Sequence, residues 1–235
     1  MNALVARPDE INPGSFDDAD DHHQSVWAAG VFGPNPVIRD GSISLYYVGY
    51  DPKLVRFDHG AGRETRHTIG SRFTGKRKNW DYNYEVLFQG GGFAGGGILA
   101  LGIAAETGYS LKDTRFSPRF GIRYDSASGD RDPSGKTLGT FNPLFPSTAC
   151  SGEIGLIGAS NVIDATPNLR FKRSLRIYFL PECSFFWRES IRSTGRETLA
   201  GRGSSVRRFH CPCSYRSSGI LPTRHWSAGS SQVSI

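Results

Sequence analysis

The stretch NWDYNYEVLFQ, Asn79 to Gln89, alternates in a way that decides the fold. Trp80, Tyr82, Tyr84, Val86 and Phe88 fall on one parity. Asp81, Asn83, Glu85 and Gln89 fall on the other, with Leu87 as the exception. A period of two marks a strand, because successive side chains point to opposite faces. One face is an aromatic wall and the other is polar. In a soluble sandwich the aromatic face would be core; in an outer-membrane barrel it would meet lipid, with a polar lumen behind it. The alternation alone is compatible with both.

The preceding segment carries the same pattern. From Thr65 to Gly75, Arg66, Thr68, Gly70, Arg72 and Thr74 share one face and His67, Ile69 and Phe73 the other. If the two segments form a hairpin with their polar faces together, opposed residue numbers must sum to an odd value, which requires an even-length turn. Lys76 and Arg77, or Arg77 and Lys78, fit, placing Arg72 opposite Asp81 or Asn83. Arginines and carboxylates would then line one surface.

Further strands are expected at Ala3–Arg7, Ser25–Gly33, Ser42–Asp51, Ile98–Thr107 and Arg119–Asp125, with the last around Leu169–Arg173 and Ser174–Arg188. On Arg119–Asp125 the polar face carries Arg119, Arg123 and Asp125; on the last segment Arg176 and Glu182 share a parity. Pro181 argues for a bulge or a break there. The GGGFAGGG run at Gly90–Gly97 reads as a glycine-dense turn. A strand pattern follows it, so it lacks the helix that a phosphate-binding glycine loop needs.

Residues 126–146 form a loop too long for a simple hairpin. Loops of that length in compact β domains are usually functional or mobile. Asp130, Arg131 and Asp132 are its charged centre. Asp130, Asp132 and Ser134 have the oxygen spacing of a calcium loop, but the distal bidentate Glu and the flanking helices are missing. Leu144 and Phe145, between prolines, suggest a segment tucked against something. Asp17, Asp18, Asp20 and Asp21 beside His22 and His23 contain metal-ligand types, but they are read as a solvated loop, because consecutive acidic residues in a turn-rich stretch need no ligand.

Composition narrows the function classes. The 29 glycines, 13 prolines and 28 aromatics in 235 residues indicate an all-β chain. Its net charge of +6 resides in residues 191–235, with seven arginines and one acidic residue, leaving 21 basic and 21 acidic residues elsewhere. No nucleic-acid signature accompanies that basic tail, so a nucleic-acid partner is not expected. Cys150, Cys183, Cys211 and Cys213 fit neither a metal knuckle nor a small-domain disulfide framework and are read as incidental. No nucleophile with a positioned base emerges, so catalysis is not expected, nor a cofactor or metal. His67 is read as an exposed strand residue.

NWDYNYE, ETGY at 106–109, ASGDRDP at 127–133, LGTFNPLFP at 138–146 and FFWRES at 185–190 together resemble the alginate export family of bacterial outer-membrane β-barrels. The likeness covers roughly residues 7–190. It implies an antiparallel up-and-down barrel in the outer membrane, lipid against Trp80, Tyr82, Tyr84 and Phe88, and a lumen passing an anionic, alginate-like polysaccharide. The expected lumen residues are Arg66, Arg72, Asp81, Glu85, Arg119, Arg123, Asp125, Arg176 and Glu182. The arginines would meet uronate carboxylates through forked hydrogen bonds, and the acidic residues would hold the arginines in place.

Family members are longer and begin with a secretion signal, which the N-terminus MNALVARPDEINPG does not provide. The resemblance therefore implies eight to ten strands from the C-terminal part of a larger barrel, at residues 1–190, with another polypeptide, oligomerisation or closure of a smaller barrel as the ways to complete it. Residues 191–235 are expected to be a poorly ordered or frameshifted Ser/Arg-rich tail, and the fragment alone is expected not to transport. Two other readings follow from the same strands: a general porin for small anions, and a soluble β-sandwich carbohydrate-binding module whose aromatic face is buried under a second protein layer.

Overall fold

The computed structural model describes residues 1–7, 9–10, 19–20, 24–36, 40–144, 160–172 and 178–193. The strands are β1 (Asn2–Ala6), β2 (Asp9–Glu10), β3 (Ala19–Asp20), β4 (Gln24–Pro34), β5 (Gly41–Pro52), β6 (Val55–Phe57), β7 (Gly60–Gly62), β8 (Glu64–Arg77), β9 (Trp80–Phe93), β10 (Gly96–Ser110), β11 (Arg119–Ala127), β12 (Thr137–Leu138), β13 (Val162–Lys172), β14 (Tyr178–Phe179) and β15 (Phe185–Trp187). No helix occurs among the described residues.

One antiparallel meander dominates, in the order β1-β4-β5-β8-β9-β10-β11-β13-β14, with β15 also on β13 and β12 parallel to β10. Neighbours in sequence are neighbours in space once the short ribbons β2–β3 and β6–β7 and the short strands β12 and β15 are set aside. The chain is thus all-β with up-and-down topology. Among the described residues the two outer edges of the sheet do not pair with each other.

The faces of this sheet are inverted relative to a soluble protein. On β8, Glu64, Arg66 and Thr68 are buried, while Ile69, on the other parity, is 63% exposed and Arg66 is 0%. On β9, Gln89 is buried and Phe88 is 59% exposed. Leu45, Leu99, Phe120, Ile122 and Tyr124 extend the exposed apolar face across three more strands. Leaving each such side chain in water would forfeit about 1.5–3 kcal/mol, and burying ionic groups instead would add a desolvation cost. The arrangement is favourable where the outer medium is hydrocarbon. A β-sandwich with its aromatic wall under a second layer is therefore excluded: Trp80, Tyr84 and Phe88 are exposed.

The β8–β9 register has the expected odd sum but is slipped. Arg77 pairs with Trp80, so the turn is Lys78–Asn79 and Arg72 lies opposite Glu85, not Asp81 or Asn83. Parity is fixed by which face is polar, whereas the turn position depends on Lys78 accepting a left-handed φ of 54°. The Gly90–Gly97 run is likewise mostly strand. β9 continues through Phe93, and only Ala94 and Gly95, at φ 48° and 86°, make the two-residue turn.

The last strands also differ from expectation. β13 begins at Val162, seven residues before Leu169, and β14 and β15 are short pieces of the segment read as one strand. Asp164, Pro167 and Asn168 hide β13 because strand propensity disfavours all three. Cys183 is disulfide-bonded rather than incidental. Asp17, Asp18, Asp21, His22, His23 and Arg176 lie outside the described residues, as do residues 194–235 of the Ser/Arg-rich tail.

Candidate functional site

The inward face is set by register. Position for position it runs Tyr46 and Ser44 on β5, Gly70 and Arg72 on β8, Leu87 and Glu85 on β9, Gly102 and Ala104 on β10, Ala127 and Asp125 on β11, and Val162 and Asp164 on β13. Small residues on β10 let long side chains from both flanks lie over that strand.

Near the Lys78–Asn79 turn, the Arg119 guanidinium lies across Gly108 of β10, where a Cβ would overlap it. Its Nε donates to both Asp81 oxygens at 3.1 and 2.9 Å, and its Nη2 donates to Asp81 at 2.5 Å and to Glu106 at 2.9 Å. Nη1 donates to Asn168 at 3.2 Å. Four of the five Arg119 N–H groups are thereby engaged. Lys76, Asn83, Asp81 and Glu106 border an adjoining open cavity of about 280 Å³.

Midway along the strands the arginines are held loosely. Arg72 Nε donates to Asn83 at 2.8 Å, and among the described residues Arg72 has no carboxylate within ion-pair distance. Glu85, its register partner, instead accepts from the Tyr46 hydroxyl. Arg123 lies 3.3 Å from Asp125 and 3.6 Å from Asp164, both longer than a good charge-assisted hydrogen bond. Glu182 forms a β-bridge with Asn168.

Toward the Ala94–Gly95 turn, the inward face is covered by the chain itself. Phe57 of β6 packs with Phe93, Ile98 and Leu138, and Phe141 packs on Leu87, Ala100 and Ala127. This accounts for Leu87, the apolar residue on the polar parity: the 128–144 segment folds inward onto it. The tucked side chains are Leu138 and Phe141 rather than Leu144, which is only partly buried, and Phe145, which lies outside the described residues.

Polar bonds fasten the same cover. Arg66 donates to Glu64, to Gln89 Oε1 at 2.6 Å and to the Thr140 carbonyl at 3.1 Å. Gln89 also accepts from the Asn142 amide at 2.9 Å and donates to the Asn142 carbonyl at 2.8 Å. Arg66 is therefore enclosed beneath the segment rather than presented to an open lumen.

The loop charges serve as fastenings too. The Asp130 carboxylate, 2% exposed as a residue, is 2.8 Å from His59 Nδ1 and accepts from the Asp132 amide at 3.1 Å. Asp132 accepts from Ser134 at 2.7 Å, and Arg131 donates to Glu189 at 2.6 Å. His67 lies on the outward face, with Nδ1 2.7 Å from the Tyr47 hydroxyl.

Sequence reasoning missed Glu64, Tyr46, Glu106, Asp164 and Asn168. Glu106 and Tyr46 carried a usable signal, since each shares the inward parity of its strand. Glu64 and the inward role of the 128–144 segment had none, because both depend on a contact between distant parts of the chain.

The alginate export family model matches residues 1–200. No curated protein matches the chain.

Proposed function

Because the chain belongs to the alginate export family of outer-membrane β-barrels that export polysaccharide, we propose that this sheet is one wall of a channel for an anionic, uronate-type polymer. The family is one of transporters rather than enzymes. The observation that carries the reading is the contrast among inward arginines at three depths. Arg119 is spent on Asp81, Glu106 and Asn168, and Arg66 is enclosed. Arg72 and Arg123 keep donor capacity facing the lumen, with Asp125, Glu85 and Asp164 near enough to moderate it.

A uronate chain carries one carboxylate per sugar, and a guanidinium matches a carboxylate with a forked pair of hydrogen bonds. Transit requires several weak sites in preference to one tight site. Arg72 and Arg123, on β8 and β11 with β9 and β10 between them, offer two such sites about 15 Å apart by strand spacing. Asp81 and Glu106 act through Arg119, fixing it as a wall element.

The test is the paired substitution Arg72→Glu and Arg123→Glu in a closed barrel carrying this sheet, examined in planar bilayers. Anion selectivity should fall, and uronate oligomers should no longer interrupt the current. Unchanged anion selectivity would sink the assignment. Selective small-anion current that oligomers never interrupt, in the unsubstituted protein, would favour a general anion porin.

A further inference from the structure

A second concentration of charge lies outside the lumen, where the Lys78–Asn79 turn and the 111–118 connection stand side by side. Ser110 N donates to the Asn79 carbonyl at 2.8 Å, and Lys112 Nζ donates to the Lys78 carbonyl at 2.8 Å. The connection is also held internally: Leu111 N to Pro118 O at 2.8 Å, Ser117 N to Thr114 O at 3.0 Å, and Thr114 Oγ1 to Leu111 O at 2.9 Å. The two tips form one surface.

Arg77, Lys78, Lys112 and Arg115 are all exposed on it, with Asp113 as the sole carboxylate of the two connections. Among the described residues none of the four cations is in an ion pair. Directly beside them the outward aromatic face begins. Arg77 is the register partner of Trp80, Trp80 packs edge-on to Tyr109 at 4.9 Å, and Tyr109 pairs with Phe120.

Phe116 completes the surface. It is 45% exposed at the tip, with the Arg115 guanidinium 4.9 Å from its ring centre. Its φ of 71°, followed by 41° at Ser117, is an uncommon backbone for bulky L-residues. Local strain of this kind concentrates where a side chain must be presented.

We propose that this rim docks the phosphate headgroups of anionic membrane lipids, with the acyl chains lying along Trp80, Tyr109 and Phe120. Guanidinium and ammonium groups are the natural partners of phosphate, basic residues gather at anionic membrane surfaces, and aromatic rings settle at headgroup depth. Direction separates this rim from the polymer path: Arg77 shares the outward parity of Trp80, whereas Lys76 shares the inward parity of Arg72. The proposal rests on the outward face meeting lipid and is independent of what the lumen passes.

The test refolds the whole chain into vesicles of phosphatidylcholine, with and without phosphatidylglycerol, and measures lipid retained after detergent extraction by native mass spectrometry. The wild type should retain phosphatidylglycerol over phosphatidylcholine by about tenfold. Arg77→Gln, Lys78→Gln, Lys112→Gln and Arg115→Gln together should bring the ratio to parity, while Arg77→Lys with Arg115→Lys should preserve it. Heat-modifiable gel mobility in phosphatidylcholine ensures that only folded variants are compared.

Equal retention of the two lipids by the wild type, or an undiminished preference in the quadruple variant, would overturn the proposal. So would loss of the preference to inorganic phosphate, which would identify a free-anion site. Insertion into phosphatidylcholine without any preference defeats the rim and leaves the barrel standing. Failure to enter either vesicle overturns the rim as a lipid site of this chain.

Discussion

Arg119 grips Asp81 across an intervening strand. The two residues sit on β11 and β9, and the guanidinium bridges them over Gly108 of β10, with Nε 2.9 Å from one carboxylate oxygen and Nη2 2.5 Å from the other. Gly121 provides the same clearance on Arg119's own strand, where a Cβ would meet Nη1. A clamp of three strands therefore depends on two positions lacking side chains.

Gly108→Ala should displace the guanidinium and cost about 1–3 kcal/mol, the usual penalty of overpacking. Asp81→Asn should cost about 2 kcal/mol by weakening hydrogen bonds to a charged group. Gly97→Ala, on β10 where a Cβ meets open space, should stay within about 0.5 kcal/mol. Urea unfolding in vesicles, followed by tryptophan fluorescence, measures all three.

Arg66 and Arg72, six residues apart on one face of β8, should respond in opposite ways. Glu64→Gln leaves Arg66 enclosed without its carboxylate and should destabilise by about 3 kcal/mol with little change in ion selectivity. Arg72→Gln should barely alter unfolding yet reduce anion selectivity. A selectivity loss on Glu64→Gln equal to that on Arg72→Gln would contradict the separation.

The outward face should show a depth profile. Phe88→Arg, within the apolar band, should cost about 2–4 kcal/mol in vesicles, whereas Trp80→Arg, close to the Lys78–Asn79 rim, should cost about 0–1 kcal/mol. Unfolding titrations in the same lipid compare them. Equal, small costs at both sites would indicate that this face meets water.

The inward cover should be separable from the wall. Phe141→Ala with Gln89→Ala removes the apolar anchor and the paired bonds to Asn142. Limited proteolysis should then cut within residues 128–144 at a rate at least about tenfold higher, corresponding to roughly 1.4 kcal/mol of local stability. The flanking strands should remain protected.

Ala94 holds a left-handed φ of 48° ahead of Gly95. Ala94→Gly should stabilise by about 1 kcal/mol by relieving that conformation, provided the added freedom of the unfolded chain does not offset it. The urea midpoint reads the result.

The alternation in NWDYNYEVLFQ determined that this segment is a strand, which side chains share a face, and that the β8–β9 register has odd parity. These properties are local, because side-chain direction follows residue number once the backbone is extended. The strings that carry the family likeness were equally legible. Turn position was not, since Lys78–Asn79 and Ala94–Gly95 were chosen over neighbouring glycines and lysines by the pairing of whole strands. Nor was the fate of each arginine. Arg66, Arg72, Arg119 and Arg123 have the same chemistry and inward parity, but Glu64, Asn83, Asp81 and Asp164 reach them at different distances. Only the tertiary structure decided that Arg66 lies beneath Phe57 and the Thr140 carbonyl, because the covering segment comes from 74 residues away in the chain.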